Sequence, residues 1–185
     1  MIGYAFCGSY CTAAASIESL RLLCEAGDVL PIVSENFAAP ETRLGRAVDL
    51  IAEIEGICGR KCVRSITSAE PLGPTDPLDA LIIAPCTGNT LAKIAHGITD
   101  TTVTMAAKAH QRVGRPLVIA LATNDAMSAN LENIARLSMR KQVYFVPMKQ
   151  DSPEQKPYSL VADFSLIPQA LHAAFEGRQL RPLFL

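Results

Sequence analysis

The sequence predicts a three-layer α/β/α sandwich around a mostly parallel sheet of about six strands. Three observations carry this. Short apolar runs without polar alternation recur along the chain, as in Ile2-Gly3-Tyr4-Ala5-Phe6-Cys7 and Leu81-Ile82-Ile83-Ala84, the pattern of strands buried on both faces. Segments with apolar residues at helical spacing stand between these runs. The chain of 185 residues is 49% hydrophobic and 19% charged, enough to bury one core and too apolar for disorder.

The elements follow in order. The first strand, 2–7, runs into Gly8-Ser9. A helix over 12–26 puts Ala13, Ile17, Leu20 and Cys24 on one face, and Gly27 stops it. The second strand, 29–33, ends at Ser34. After Pro40 a helix over 41–57 repeats Leu44, Ala47, Val48, Ile51 and Ile54 at helical spacing, with Arg43, Arg46, Asp49 and Glu53 off that stripe. A short strand is expected at 63–66. The stretch 70–79 holds Pro71, Gly73, Pro74 and Pro77 and reads as a connector. The central strand, 81–84, leads through Pro85-Cys86-Thr87-Gly88-Asn89-Thr90 into a helix over 91–96, and a further helix covers 104–113. Pro116 opens a strand at 117–122, Asn124-Asp125 begins a loop, a helix spans 131–139, and the last strand is 143–146. Residues 149–158 are polar, with Pro153 and Pro157, and are expected to be a flexible segment; a C-terminal helix covers 164–177. One domain, 1–185, is expected.

Charge and composition exclude several classes of function. Lys+Arg is 17 and Asp+Glu is 18, so no basic face is implied for nucleic acid or an acidic membrane surface. No run approaches the ~18 apolar residues of a membrane span. The first strand begins at Ile2 with no charged stretch before it, so no secretory leader is expected and a cytoplasmic location is. The six cysteines include the pairs Cys7/Cys11 and Cys58/Cys62, both spaced C-x-x-x-C, which is not zinc spacing; reduced thiols and no metal site are expected. A mean hydropathy of +0.22 with no Trp points to an aliphatic core and to apolar contacts between copies in a homo-oligomer.

In an open parallel sheet, ligands bind beyond the carboxyl ends of the strands, where strand order reverses. That rule gathers four loops: Gly8-Ser9-Tyr10-Cys11-Thr12, Ser34-Glu35-Asn36, Cys86-Thr87-Gly88-Asn89-Thr90 and Thr123-Asn124-Asp125. All are rich in hydroxyls, amides and glycine, and three lead into helices whose leading N–H groups favour an anion. Each hydroxyl is equally a candidate helix N-cap; a shared site rests on all four loops meeting. With neither G-x-G-x-x-G nor G-x-x-x-x-G-K-[ST] present, a mononucleotide such as FMN fits better than NAD.

Two segments resemble a known superfamily. Ala84-Pro85-Cys86-Thr87-Gly88-Asn89-Thr90 resembles the P-A-S-A-N-T motif of the flavoprotein superfamily of flavin-dependent cysteine decarboxylases. Leu121-Ala122-Thr123-Asn124-Asp125-Ala126-Met127 resembles its P-x-M-N-x-x-M-W motif. The chain as a whole is similar to one branch, the B subunits of dipicolinate synthases. The matching stretches include Gly8-Ser9-Tyr10-Cys11-Thr12, Thr42-Arg43-Leu44-Gly45, Ala69-Glu70-Pro71-Leu72-Gly73-Pro74 and Ser159-Leu160-Val161-Ala162. The resemblance implies a Rossmann-like fold, an FMN-type pocket, a homo-oligomer and, as partner, the synthase's A subunit, which binds NADP. It implies that the pair oxidises dihydrodipicolinate to dipicolinate in the mother cell of a sporulating bacterium. The alternatives are a scaffold without chemistry of its own that activates the A subunit, and a decarboxylase-like lyase.

Carried over residue by residue, Gly8, Ser9, Ser34, Thr87, Gly88, Asn89, Thr90 and Thr123 are the implied cofactor-binding positions. Asn124 is the implied catalytic residue, matching the asparagine beside the substrate carboxylate. The decarboxylases' histidine has no counterpart, since 35–57 contains none and the histidines are His96, His110 and His172. Thr123 stands for the motif's methionine and Ser128 for its tryptophan, so decarboxylation is not implied. From its chemistry, Arg43 is a candidate guanidinium fork for a planar dicarboxylate. Asp125 is a proton acceptor or a helix cap. Cys7 and Cys86 lie at strand ends, where a nucleophile would need a base that no histidine is placed to supply.

Overall fold

In the computed structural model, residues 1–39, 41–42 and 45–185 are described, with 41–42 and 45–46 described by backbone alone. Strands β1 (Ile2–Phe6), β2 (Val29–Val33), β5 (Ala80–Cys86), β6 (Leu117–Thr123) and β7 (Val143–Phe145) form the parallel body of a seven-stranded sheet. Their spatial order is β2-β1-β5-β6-β7. The order reverses between β1 and β5, so the loops that leave these two strands flank a crevice.

Alternation along each strand sends successive side chains to opposite faces and builds two cores. Tyr4, Phe6, Ile82 and Val118 face α1 (Ala13–Ala26), α2 (Ala47–Cys58) and α7 (Ile167–Phe175). Ala5, Leu81, Ile83 and Ile119 face α3 (Ile66–Ala69), α4 (Gly88–His96), α5 (Thr102–Gln111) and α6 (Leu131–Ser138). Every residue of β5 is buried, which explains its unbroken apolar sequence. The expected three-layer, mostly parallel sandwich is what the chain forms.

Four local expectations need correction. At 63–66 there is no strand beyond a single parallel bridge from Val63 to Ile32. Instead Ser65 and Ser68 form a capping box that starts α3, and this local hydrogen bonding outweighs the apolar spacing. The helix expected from residue 41 starts at Ala47, because β3 (Glu41–Thr42) and β4 (Gly45–Arg46) pair as a small antiparallel hairpin ahead of it. Leu44 lies outside the described residues. The helix expected from residue 91 starts at Gly88, because Thr87 caps it. Finally, two antiparallel strands follow β7: β8 (Met148–Lys149) and β9 (Leu160–Ala162). The first half of β6 pairs with β7 and its last residues pair with β9, Ala122 with Val161 and Thr123 with Leu160. This places the 149–158 segment beside the carboxyl end of β6. Among the described residues no helix is long and apolar enough to cross a membrane.

His110, on α5, is fully buried. Its Nε2 donates to the Pro116 carbonyl at 2.9 Å, and Nδ1 has no partner among the described residues. Burial holds its pKa below 6.5, with the Pro116 carbonyl opposing and Arg115 adding to the shift. The unfolded chain therefore binds a proton that the folded chain resists, and stability falls as pH drops through 6.5. The unfolding free energy from urea titration is expected to decline from pH 7 to about 5.5, by at most about 1.4 kcal/mol per pH unit for one proton, and His110→Gln flattens that slope. Equal slopes in the two proteins would contradict the assignment.

Candidate functional site

Two helix starts face the crevice. At α4, Thr87 is the N-cap: its Oγ1 accepts from the Thr90 N–H at 3.3 Å and donates to Thr90 Oγ1 at 3.1 Å. The cap leaves the Gly88 and Asn89 backbone at the tip of the helix, where the partial positive charge concentrates. At α1 the arrangement differs. A 3₁₀ turn at Tyr10–Thr12 precedes the helix, and neither Ser9 nor Thr12 makes a side-chain cap. Their hydroxyls bond each other at 3.1 Å instead. The leading N–H groups of this end thus lack a side-chain acceptor.

Gly88 is fixed by a polar network beneath it. Thr123 Oγ1 donates to Asp125 Oδ1, and Asn130 Nδ2 donates to the same oxygen at 3.0 Å. Asn133 Nδ2 donates to Asn130 Oδ1 at 3.0 Å. A Cβ at Gly88 would meet Asn130 Nδ2 and Thr123 Oγ1 at 2.6 Å and Asp125 Oδ1 at 2.9 Å. Only a residue without a side chain lets the α4 tip dock on the turn after β6. Asp125 Oδ1 thereby ties the turn after β6 to Asn130 beneath the α4 tip.

The segment between β8 and β9 closes the third side. Lys156 Nζ pairs with Asp151 Oδ2 at 2.8 Å, the Lys156 N–H donates to the Ser152 carbonyl at 2.7 Å, and the Met127 N–H donates to the Tyr158 carbonyl at 2.9 Å. Lys156 first and the Ser159 hydroxyl second hold the Asp151 carboxyl below its usual range. Buried Ser159 lies between this segment and the β6 turn, with Oγ 3.3 Å from the Thr123 carbonyl and 3.5 Å from Asn124 Oδ1.

These pieces enclose a cavity of about 800 Å³, within the range of small-molecule sites. Of the residues expected to form the site, Gly8, Ser9, Thr87, Gly88, Asn89, Thr123 and Asn124 line it together. Ser34 and Thr90 do not. Ser34 is buried at the end of β2, where its Oγ accepts from the Phe37 N–H at 3.2 Å. Thr90 is buried behind Thr87. The Ser34-Glu35-Asn36 loop instead braces its neighbours. Tyr10 Oη donates to the Asn36 carbonyl, and Glu35 Oε1 accepts from the Thr102 N–H and hydroxyl at 2.9 and 2.7 Å. Arg43 lies outside the described residues. Cys7 and Cys86 are fully buried, and burial pushes the Cys7 thiol up to about 11 and the Cys86 thiol well above its usual value. Neither is a thiolate near neutral pH.

Sequence reasoning missed Asp151, Lys156 and Ser159. Their segment carries no periodicity, and β9 is only three residues long. Its register against Thr123 is a long-range fact that no local pattern encodes.

A doubly wound sheet with a cavity of hydroxyls, amides and helix tips at its switch point defines a Rossmann-like protein. The chain belongs to the Flavoprotein family, which it matches over residues 13–165. It is 41% identical over all of its 185 residues to the dipicolinate synthase B subunit of Bacillus subtilis, covering 92% of that protein. The crystal structure of the dipicolinate synthase B subunit from Bacillus halodurans superposes with a TM-score of 0.91 at 39% identity, over 100% of this chain and 95% of that one. The FMN-dependent cysteine decarboxylase SpaF superposes with a TM-score of 0.68 at 26% identity, over 94% and 95% of the two chains.

Proposed function

We propose that this chain is the B subunit of a dipicolinate synthase and that, with the synthase's A subunit, it oxidises dihydrodipicolinate to dipicolinate. The observation that carries this is the 41% identity along the whole chain to the B. subtilis protein. The substrate loses a hydride and a proton, and aromatisation of its ring favours the product. Asn124, exposed at the cavity wall, offers its amide N–H to a substrate carboxylate.

The residues present fit FMN. The Gly8 and Gly88 backbone lines the cavity, the α1 start lacks a side-chain cap, and Ser9, Thr87 and Asn89 supply polar groups around the same space. Gly8, Ser9, Thr87, Gly88 and Asn89 would hold the phosphate and ribityl end, and Thr123 and Asn124 would border the ring. A bound flavin supplies a hydride acceptor. NADP is assigned to the A subunit. The task of this chain is then to orient donor and acceptor and to keep the carboxylates fixed.

The test is reconstitution of both subunits with dihydrodipicolinate, omitting FMN and NADP in turn. Product formation that needs this chain and stops when FMN is omitted is expected. Full activity with this chain and no flavin would make it an activating scaffold. Full activity of the A subunit in the absence of this chain would overturn the function.

A further inference from the structure

We propose that Lys156 forms a carboxylate subsite of the cavity, and that Asp151 occupies it until a dicarboxylate ligand takes its place. This rests on the proposed function and deepens it. Among the described residues lining the cavity, Lys156 is the only one with a cationic side chain, and Asp151 the only one with an anionic side chain. The remaining wall offers hydroxyls, amides, backbone, the Cys11 thiol and the apolar Ala122 and Val161. A ligand with two carboxylates therefore finds one full positive charge here, and that charge is already holding a carboxylate in hydrogen-bonding geometry at 2.8 Å.

The pair is suited to exchange. The Lys156 side chain is 46% exposed and that of Asp151 30%, so water screens their attraction and little is lost when a ligand carboxylate replaces one partner. Lys156, from the segment between β8 and β9, and Cys11, from the loop after β1, line the same cavity from different parts of the chain. The same segment reaches the second polar contact. Ser159 lies near Asp151 and 3.5 Å from Asn124 Oδ1, an arrangement that leaves the Asn124 NH₂ for a ligand. Lys156 and Asn124 would thus each meet one carboxylate of the ring diacid. The two carboxylates of such a diacid flank its ring nitrogen, so donors on two separate segments, one between β8 and β9 and one after β6, can each take one.

The experiment is binding of pyridine-2,6-dicarboxylate to the full chain, by itself and with the A subunit, using calorimetry, with FMN and riboflavin as parallel ligands. Lys156→Ala is expected to weaken the dicarboxylate about tenfold or more while leaving FMN within about twofold, and Lys156→Arg to restore most of the loss. Picolinate, with one carboxylate, should lose less than the diacid. Equal dicarboxylate affinity in wild type and Lys156→Ala would overturn the subsite and leave the proposed function standing. No dicarboxylate binding by wild type, alone or assembled, would instead overturn the proposed function, and the subsite with it. A variant that loses FMN but not riboflavin would assign the cation to a phosphate and overturn the proposal.

Discussion

Gly88→Ala should destabilise the fold and weaken FMN binding in one step. The new methyl would stand 2.6 Å from both Asn130 Nδ2 and Thr123 Oγ1 and 2.9 Å from Asp125 Oδ1. These atoms belong to short side chains that hydrogen-bond one another, so none can swing away. Overpacking of this kind costs about 1–3 kcal/mol. If Asp125 or Asn130 loses its partner in making room, a further ~1–3 kcal/mol follows. For a chain of this length each kcal/mol lowers Tm by roughly 2–4 °C. Because the strain acts at the tip of α4, FMN affinity should fall about tenfold or more as well. Urea unfolding and an FMN titration on the same preparation check both parts. A variant with wild-type stability and wild-type FMN affinity would mean that the α4 tip does not dock as described.

Asn124→Ala should behave in the opposite way, with stability close to wild type and a large loss of activity. Asn124 is exposed, and its hydrogen bond to Ser159 is long at 3.5 Å, so the fold depends on it little. A hydrogen bond from a neutral amide to a carboxylate contributes about 1.5–3 kcal/mol, so kcat/KM of the assembled synthase should drop about ten- to hundredfold. Ser159→Ala should move kcat/KM in the same direction by less, because it releases the Asn124 amide without removing it. Unchanged kcat/KM in Asn124→Ala would remove this residue from the chemistry.

The parallel body of the fold is legible in the sequence because each of its strands is buried on both faces, which writes an unbroken apolar run into β5 and β6. The site is legible to the extent that it lies in loops following such strands. Gly8, Thr87 and Asn124 each sit just past the end of an apolar run, and topology alone brings them together. Ser34 departs from expectation for a physical reason: a hydroxyl at a strand end serves equally well to bond the local backbone, and here it holds Phe37. The antiparallel β8–β9 addition is illegible. Two strands of two and three residues pair through contacts far apart in sequence, so Lys156 and Ser159 read from sequence alone as loop residues. The start of α2 is misplaced because apolar spacing extends through residues that pair as a hairpin. Periodicity records which face is buried, and it does not record where the first helical hydrogen bond forms.

In the proposed function the turns after β1 and β5 form one cradle for a phosphate at the switch point of the sheet. Titration of the purified chain with FMN and, separately, with riboflavin tests it most directly, since the two ligands differ only in that group. Micromolar FMN binding with riboflavin about tenfold or more weaker is predicted. Equal affinity for the two, or no binding of FMN, would contradict the claim.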